Sequence, residues 1–198
     1  MQTTDDEYTT VGPGISEGYY SEKRSKFLAF VHHAETEDEV KAIVAAYRRK
    51  YYDARHVCYA YVLGDDASLF RANDDGEPSS TAGKPILAQI QKLCLTKVLV
   101  IVVRYYGGVN LGTGGLIVAY RTAAEEALSK ADRQTCQVEE QITYAYPYVM
   151  MNDVMRIVKD LNPRIVSQTF ENTCEITLSI RCSKAALLRD RLDNLAFE

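Results

Sequence analysis

The sequence predicts an α+β protein of two domains, on three observations. Residues 98–103 form an unbroken β-branched and aliphatic run, as expected of a strand buried on both faces. A glycine-dense turn follows it, with five of the chain's 11 glycines between Gly107 and Gly115, and then a helical pattern. Beyond a polar break at 131–137 the pattern changes to strand, helix, strand, strand, helix, a ferredoxin-like unit that lacks its closing strand. The expected domains are 14–131 and 138–198.

Each element has its own warrant. Residues 1 to about 13 read as a disordered lead-in, and 27–33 as a strand. Thr36 to Glu39 has capping-box spacing and opens a helix with Val40, Ile43, Val44, Tyr47 and Tyr51 on one face. Strands are expected at 57–63 and 68–72, with a turn at Gly64-Asp65-Asp66. Residues 73–83 form a polar loop. Lys84-Pro85 then starts a helix, since proline at the first helical position lacks only an N–H that is not needed there. After the buried strand and the glycine turn, Leu116, Ala119, Tyr120, Ala123, Ala124 and Ala127 line one face of a helix running to about Lys130. In the second domain, 138–146 and 164–170 are strands, and Met150, Val154, Ile157, Val158 and Leu161 mark an amphipathic helix stopped by Asn162-Pro163. A tight turn is expected at Glu171-Asn172. From Thr173 to Cys182 apolar and polar residues alternate, as in a sheet with one wet face. Ser183 can cap a last helix.

Bulk composition narrows the function classes. The 198 residues, 46% hydrophobic and 25% charged, suit a globular protein with a sizeable core. A net charge of −4 gives no nucleic-acid signature by itself, so any RNA role would need a local basic patch. No apolar run approaches the roughly 20 residues of a membrane span. The polar N-terminus has no signal-peptide character, and five scattered cysteines without CxxC spacing read as reduced thiols in a cytoplasmic protein. No cofactor is called for, and the oligomeric state, monomer or dimer, is left open.

Two loops hold the candidate site. The 104–115 turn fails the dinucleotide fingerprint because position 117 is Ile, and Gly76 to Lys84 fails the P-loop spacing. The turn is then either a generic anion cradle at a helix N-terminus, aided by Arg104, or a set of tight turns under packed strands. The 73–85 loop brings three consecutive hydroxyls and Lys84 to another helix start. Its Asp74, Asp75 and Glu77 offer oxygen ligands for a hard cation, though a solvated turn is the simpler reading and no metal is assigned. His56 and Cys58 share a strand face and suggest a thiol nucleophile, but no third group is visible to orient the histidine.

These motifs together resemble the IMPACT/YigZ family along nearly the whole chain. The resemblance rests on Asp75-Gly-Glu-Pro-Ser with Thr81-Ala-Gly-Lys-Pro, Val103-Arg-Tyr-Tyr-Gly-Gly with Leu111-Gly-Thr-Gly-Gly-Leu, Ala119-Tyr120, and His56-x-Cys58-x-Ala60-Tyr61. It implies an N-terminal domain with the fold of the second domain of a small-subunit ribosomal protein, also seen in domain four of elongation factor G, and a ferredoxin-like second domain. It also implies translational regulation in the eukaryotic members, and nucleic-acid or ribosome association in the bacterial ones. Many relatives carry Gly where Ser80 stands and a basic residue near Asn110 or Val118, so this surface is less basic than theirs.

The expectation that follows is a non-catalytic, translation-associated regulator binding RNA or a ribosomal surface. Glu77, Ser79, Thr81 and Lys84 would form one wall of the site. Arg104, Tyr105, Tyr106, Gly107, Gly108, Gly112, Gly114 and Gly115 would form the other. The alternatives are an enzyme in the same cleft, with Lys84 and Arg104 holding a phosphorylated or carboxylated ligand and Glu77 or His56 moving protons, and a protein–protein adaptor using the second domain's sheet edge.

Overall fold

The computed structural model describes residues 6–171 and 173–195. They divide into two compact units, 8–136 and a second made of 137–195 with Asp6 and Glu7.

The larger unit carries β1 (Glu7–Val11), β2 (Ser16–Glu22), β3 (Ser25–His33), α1 (Glu37–Lys50), β4 (His56–Leu63), β5 (Leu69–Asn73), α2 (Gly83–Lys92), β6 (Val98–Tyr105), α3 (Gly112–Lys130) and β7 (Arg133–Gln137). Its main sheet has the order β2-β3-β6-β4-β5, and all four neighbouring pairs are antiparallel. The central strand β6 explains the unbroken apolar run. Val98, Val100 and Val102 pack with Phe27, Cys58, Ala60 and the apolar faces of α2 and α3. Leu99, Ile101 and Val103 point the other way, to Phe30, Val57, Tyr61 and the Val40, Val44 and Tyr47 face of α1. Helices therefore cover both faces of an antiparallel sheet, and the period-2 alternation that a wet face would impose disappears.

Local chemistry fixes the helix starts. Thr36 Oγ1 accepts from Glu39 N at 3.2 Å, as the capping spacing predicts, while Glu39 Oε2 reaches one residue further back and accepts from Glu35 N at 2.7 Å. α2 begins at Gly83 rather than at Lys84-Pro85, so Pro85 is its third residue, still within the turn whose N–H groups have no partner inside the helix.

Three expectations are corrected. Glu7–Val11 is a strand, not a disordered lead-in; it pairs with β7, and Gly12 N extends the contact to Asp132 O at 2.9 Å. The polar 131–137 stretch carries a strand, Arg133–Gln137, whose backbone is satisfied by β1, which composition does not reveal. β2, Ser-Glu-Gly-Tyr-Tyr-Ser-Glu, was not expected at all because it is a largely solvated edge strand.

The smaller unit contains β8 (Glu139–Tyr146), α4 (Met151–Leu161), β9 (Arg164–Phe170), β10 (Cys174–Arg181) and α5 (Cys182–Leu195), with a 3-10 turn before α4. The sheet order β8-β10-β9, with β10 antiparallel to both neighbours, is that of a ferredoxin-like βαββα unit. Ile142, Tyr146, Ile176, Leu178 and Ile180 of the sheet pack on Val154, Ile157 and Val158 of α4 and Leu188 and Leu192 of α5. Asn162 ends α4 in the left-handed conformation, its N–H bonded to Val158 O. α5 begins one residue before Ser183. Asn172, in the expected tight turn, and Phe197 and Glu198 lie outside the described residues.

β2 reaches α3 at close quarters through Gly18. A Cβ there would stand 2.5 Å from Ala127 N and 2.7 Å from Ala123 O, both backbone atoms. Gly18→Ala is expected to destabilise the protein by about 1–3 kcal/mol in urea unfolding, because neither atom can yield alone. Gly14→Ala, with nothing within 4 Å of the new methyl, should stay within about 0.5 kcal/mol of the parent.

Candidate functional site

Strand alternation decides which loop residues converge. Along β6, Arg104 follows Val102 onto the α2/α3 side, while Tyr105 follows Val103 onto the α1 side and donates to Asp53 Oδ1 at 3.0 Å. Arg104 is 5% exposed and meets Glu77, which is 8% exposed, through Nη1 to Oε1 at 2.5 Å. The same Oε1 accepts from the Tyr120 hydroxyl of α3 at 2.8 Å, and His56 Nε2 stands 3.7 Å from it. Arg104 Cζ lies 5.5 Å from the Phe27 ring centroid and 5.6 Å from that of Tyr106. One carboxylate thus ties the 73–82 loop to the central strand and the long helix.

Cys58 extends this network inward. Its Sγ is 3.1 Å from Asp74 O and 3.3 Å from the Tyr120 hydroxyl. Burial pushes the thiol and the Tyr120 phenol well above their ordinary values, so both stay protonated at neutral pH. His56 Nδ1 is 2.8 Å from Asp75 O rather than on Cys58. The pair is therefore no nucleophile and base: the residues share a strand face, but each is engaged by a different atom of the loop.

The loop carboxylates are also accounted for. Asp74 Oδ1 accepts from Ala82 N (3.0 Å) and Gly83 N (2.8 Å), and Oδ2 from Ser80 N (2.8 Å). Burial raises the Asp74 pKa, but these three N–H groups outweigh it and leave the value lowered. Asp74 fills the N-terminus of α2, whose cap residue Ala82 supplies no side-chain acceptor of its own. An external anion is not received there. Asp75 pairs with Arg48 at 2.5 Å and accepts from Val57 N at 2.7 Å. The acidic residues point to separate partners, and no group of three or more metal-ligating side chains exists among the described residues.

The start of α3 differs. Its cap residue Leu111 makes no side-chain hydrogen bond and its first turn holds no acid. Gly112 and Thr113 at that start, with Asn110 and Leu111 just ahead, form one side of a cleft of about 570 Å³. Glu77 with Pro78, Arg55 with His56, Arg104 with Tyr106, and Leu116 form the rest. Tyr106 is 48% exposed and donates to Asn110 Oδ1 at 3.1 Å. Arg104 Nε is buried without a partner among the described residues.

Of the twelve expected site residues, Glu77, Arg104, Tyr106 and Gly112 line this cleft. Thr81 is buried and bonds Pro78 O at 2.6 Å, while Ser79 and Lys84 are exposed outside the lining. Gly107 is a packing glycine: its Cβ would fall 2.1 Å from Arg24 C. Gly108 stands open with φ +82°, and Gly114 and Gly115 border a separate hollow with Tyr20 and Lys23. Arg55, Asn110 and Thr113 were missed. The signal for Arg55 was its place one residue before His56, where β4 begins.

The model of the Impact N-terminal domain matches residues 23–128. The chain is 32% identical over 166 residues to IMPACT family member YigZ of Escherichia coli (strain K12), covering 83% of this chain and 81% of that protein. It is 31% identical over 104 residues to Protein IMPACT of Rattus norvegicus, covering 50% of this chain and 33% of that protein. A solved structure titled "Crystal structure of an hypothetical protein" superposes with a TM-score of 0.73 at 28% identity, covering 97% of this chain and 94% of that one. The chain belongs to the IMPACT family.

Breaking a buried ion pair leaves one charge without compensation, which typically costs about 3–5 kcal/mol. Glu77→Ala and Arg104→Ala are each expected to lose roughly that much in urea unfolding. The double variant should lose clearly less than their sum, because the second change removes the charge that the first orphaned.

Proposed function

We propose that the protein is a translation-associated regulator that binds RNA or a ribonucleoprotein surface through the 8–136 unit. The observation that carries this reading is the cleft itself, where the uncapped start of α3, Arg55 and the partnerless Nε of Arg104 converge. Backbone N–H groups at a helix start and guanidinium groups are the donors that hold phosphate oxygens. Tyr106 beside them offers a half-exposed ring on which a base can stack. Family membership supports the translational part, through the role that the resemblance implies for the eukaryotic members. The rat protein shares only half of this chain, so its particular partners do not carry over. A cytoplasmic location belongs to the same proposal; among the described residues no helix is long and apolar enough to cross a membrane.

The cleft has few cations, so its salt dependence is expected to be shallow. With one or two phosphates engaged, log affinity for single-stranded RNA should fall against log salt with a slope of about −0.7 to −1.4. Arg55→Ala changes an exposed side chain and should leave folding intact while weakening binding several-fold in fluorescence anisotropy. Absence of binding to RNA and to ribosomes at low salt would sink the proposal.

A further inference from the structure

We infer that the cleft recognises a terminal phosphate monoester carried on a nucleotide, rather than the internal phosphodiester backbone of a strand. The inference rests on the RNA-binding proposal only for the source of that phosphate.

Glu77 takes Nη1 of Arg104, and the Nε donor of the same guanidinium is left over. That Nε is buried without a partner among the described residues, in a side chain only 6% exposed. A buried donor left unsatisfied is costly, and an oxyanion drawn to the Arg104 head would relieve it. The start of α3 supplies the second half of the cradle. It has neither a capping side chain nor an acid in its first turn, whereas Asp74 plugs the start of α2. The same fold therefore fills one helix start with its own carboxylate and leaves the other open in the cleft.

The charge of the lining selects the kind of phosphate. Arg55 and Arg104 face one carboxylate, Glu77, in a chain whose net charge is −4. A row of cations to track a backbone is missing from this lining. What the cleft provides is one concentrated donor cluster, suited to a monoester carrying about −1.5 to −2 charges at neutral pH. Its volume of about 570 Å³ lies in the range of small-ligand pockets, and Tyr106 at its edge supplies the ring for a single base.

The test uses the full chain and one RNA sequence made in two forms, with a 5′-phosphate and with a 5′-hydroxyl, and adenosine 5′-monophosphate as a third probe. Thr113→Glu is the diagnostic variant. Thr113 is exposed in the first turn of α3, where a carboxylate favours the helix, so the variant should fold normally while its charge repels the phosphate. The expected result is at least about tenfold tighter binding of the phosphorylated RNA, with the difference abolished in Thr113→Glu at an unchanged thermal midpoint. Equal, measurable affinity for the two RNAs overturns the end-phosphate inference and leaves RNA binding standing. If neither RNA binds but adenosine 5′-monophosphate does, and Thr113→Glu removes that binding, the site stands with a free nucleotide as its source and the RNA reading falls. If none of the three binds, both fall.

Discussion

The Glu77 carboxylate is the constraint on which the rest of the site depends. One oxygen accepts from a guanidinium on the central strand and from a phenol on the long helix, beside a largely apolar core. A buried pair of this kind adds little net stability over a packed hydrophobic substitute, but each partner alone is strongly unfavourable. Its value is positional. It fixes the 73–82 loop over the sheet, holds Arg104 in the cleft wall, and takes up Nη1 while Nε stays without a partner among the described residues.

The two helix starts show the same logic in opposite senses. Asp74 gathers three backbone N–H groups and closes the α2 start, placing the loop so that Glu77 arrives beside Arg104. Ser80, within that loop, adopts φ +67°, a conformation in which glycine is at ease and serine is strained, and its N–H bond to Asp74 offsets part of the strain. The α3 start has no such internal anion. Gly107 brings the chain hard against Arg24 and Ser25, which aims the following turn across the end of the sheet toward the cleft. Tight packing and ligand approach are thus both present in the glycine-dense segment, at different glycines.

Much of the fold was legible in the sequence because it rests on periodicity. The β6 run, the α1 capping box and the alternation of β10 each reflect burial that one segment can report by itself. The misses have two causes: β2 is a solvated edge strand with little apolar pattern, and β1 and β7 are stabilised by distant chain. β1 and β7 are polar segments that exist because they pair with each other across more than a hundred residues. The site was legible only in part for the same reason. Glu77 and Arg104 were both candidates, yet nothing local says that they form a buried pair, or that Asp74, eight residues ahead of the α2 cap position, closes that helix. Ser79 and Lys84 looked like ligand contacts because they resemble turn and helix-start chemistry, and the lining of the cleft passes them by.

The most direct test is the side-chain Nε–H resonance of Arg104, followed by proton–nitrogen NMR while adenosine 5′-monophosphate is added to the full chain. The account predicts a signal protected from exchange in the free protein, because the group is buried. It further predicts a saturable downfield proton shift as the donor acquires a phosphate oxygen. A signal that remains unmoved up to millimolar nucleotide would contradict the claim that the partnerless Nε of Arg104 is the binding element.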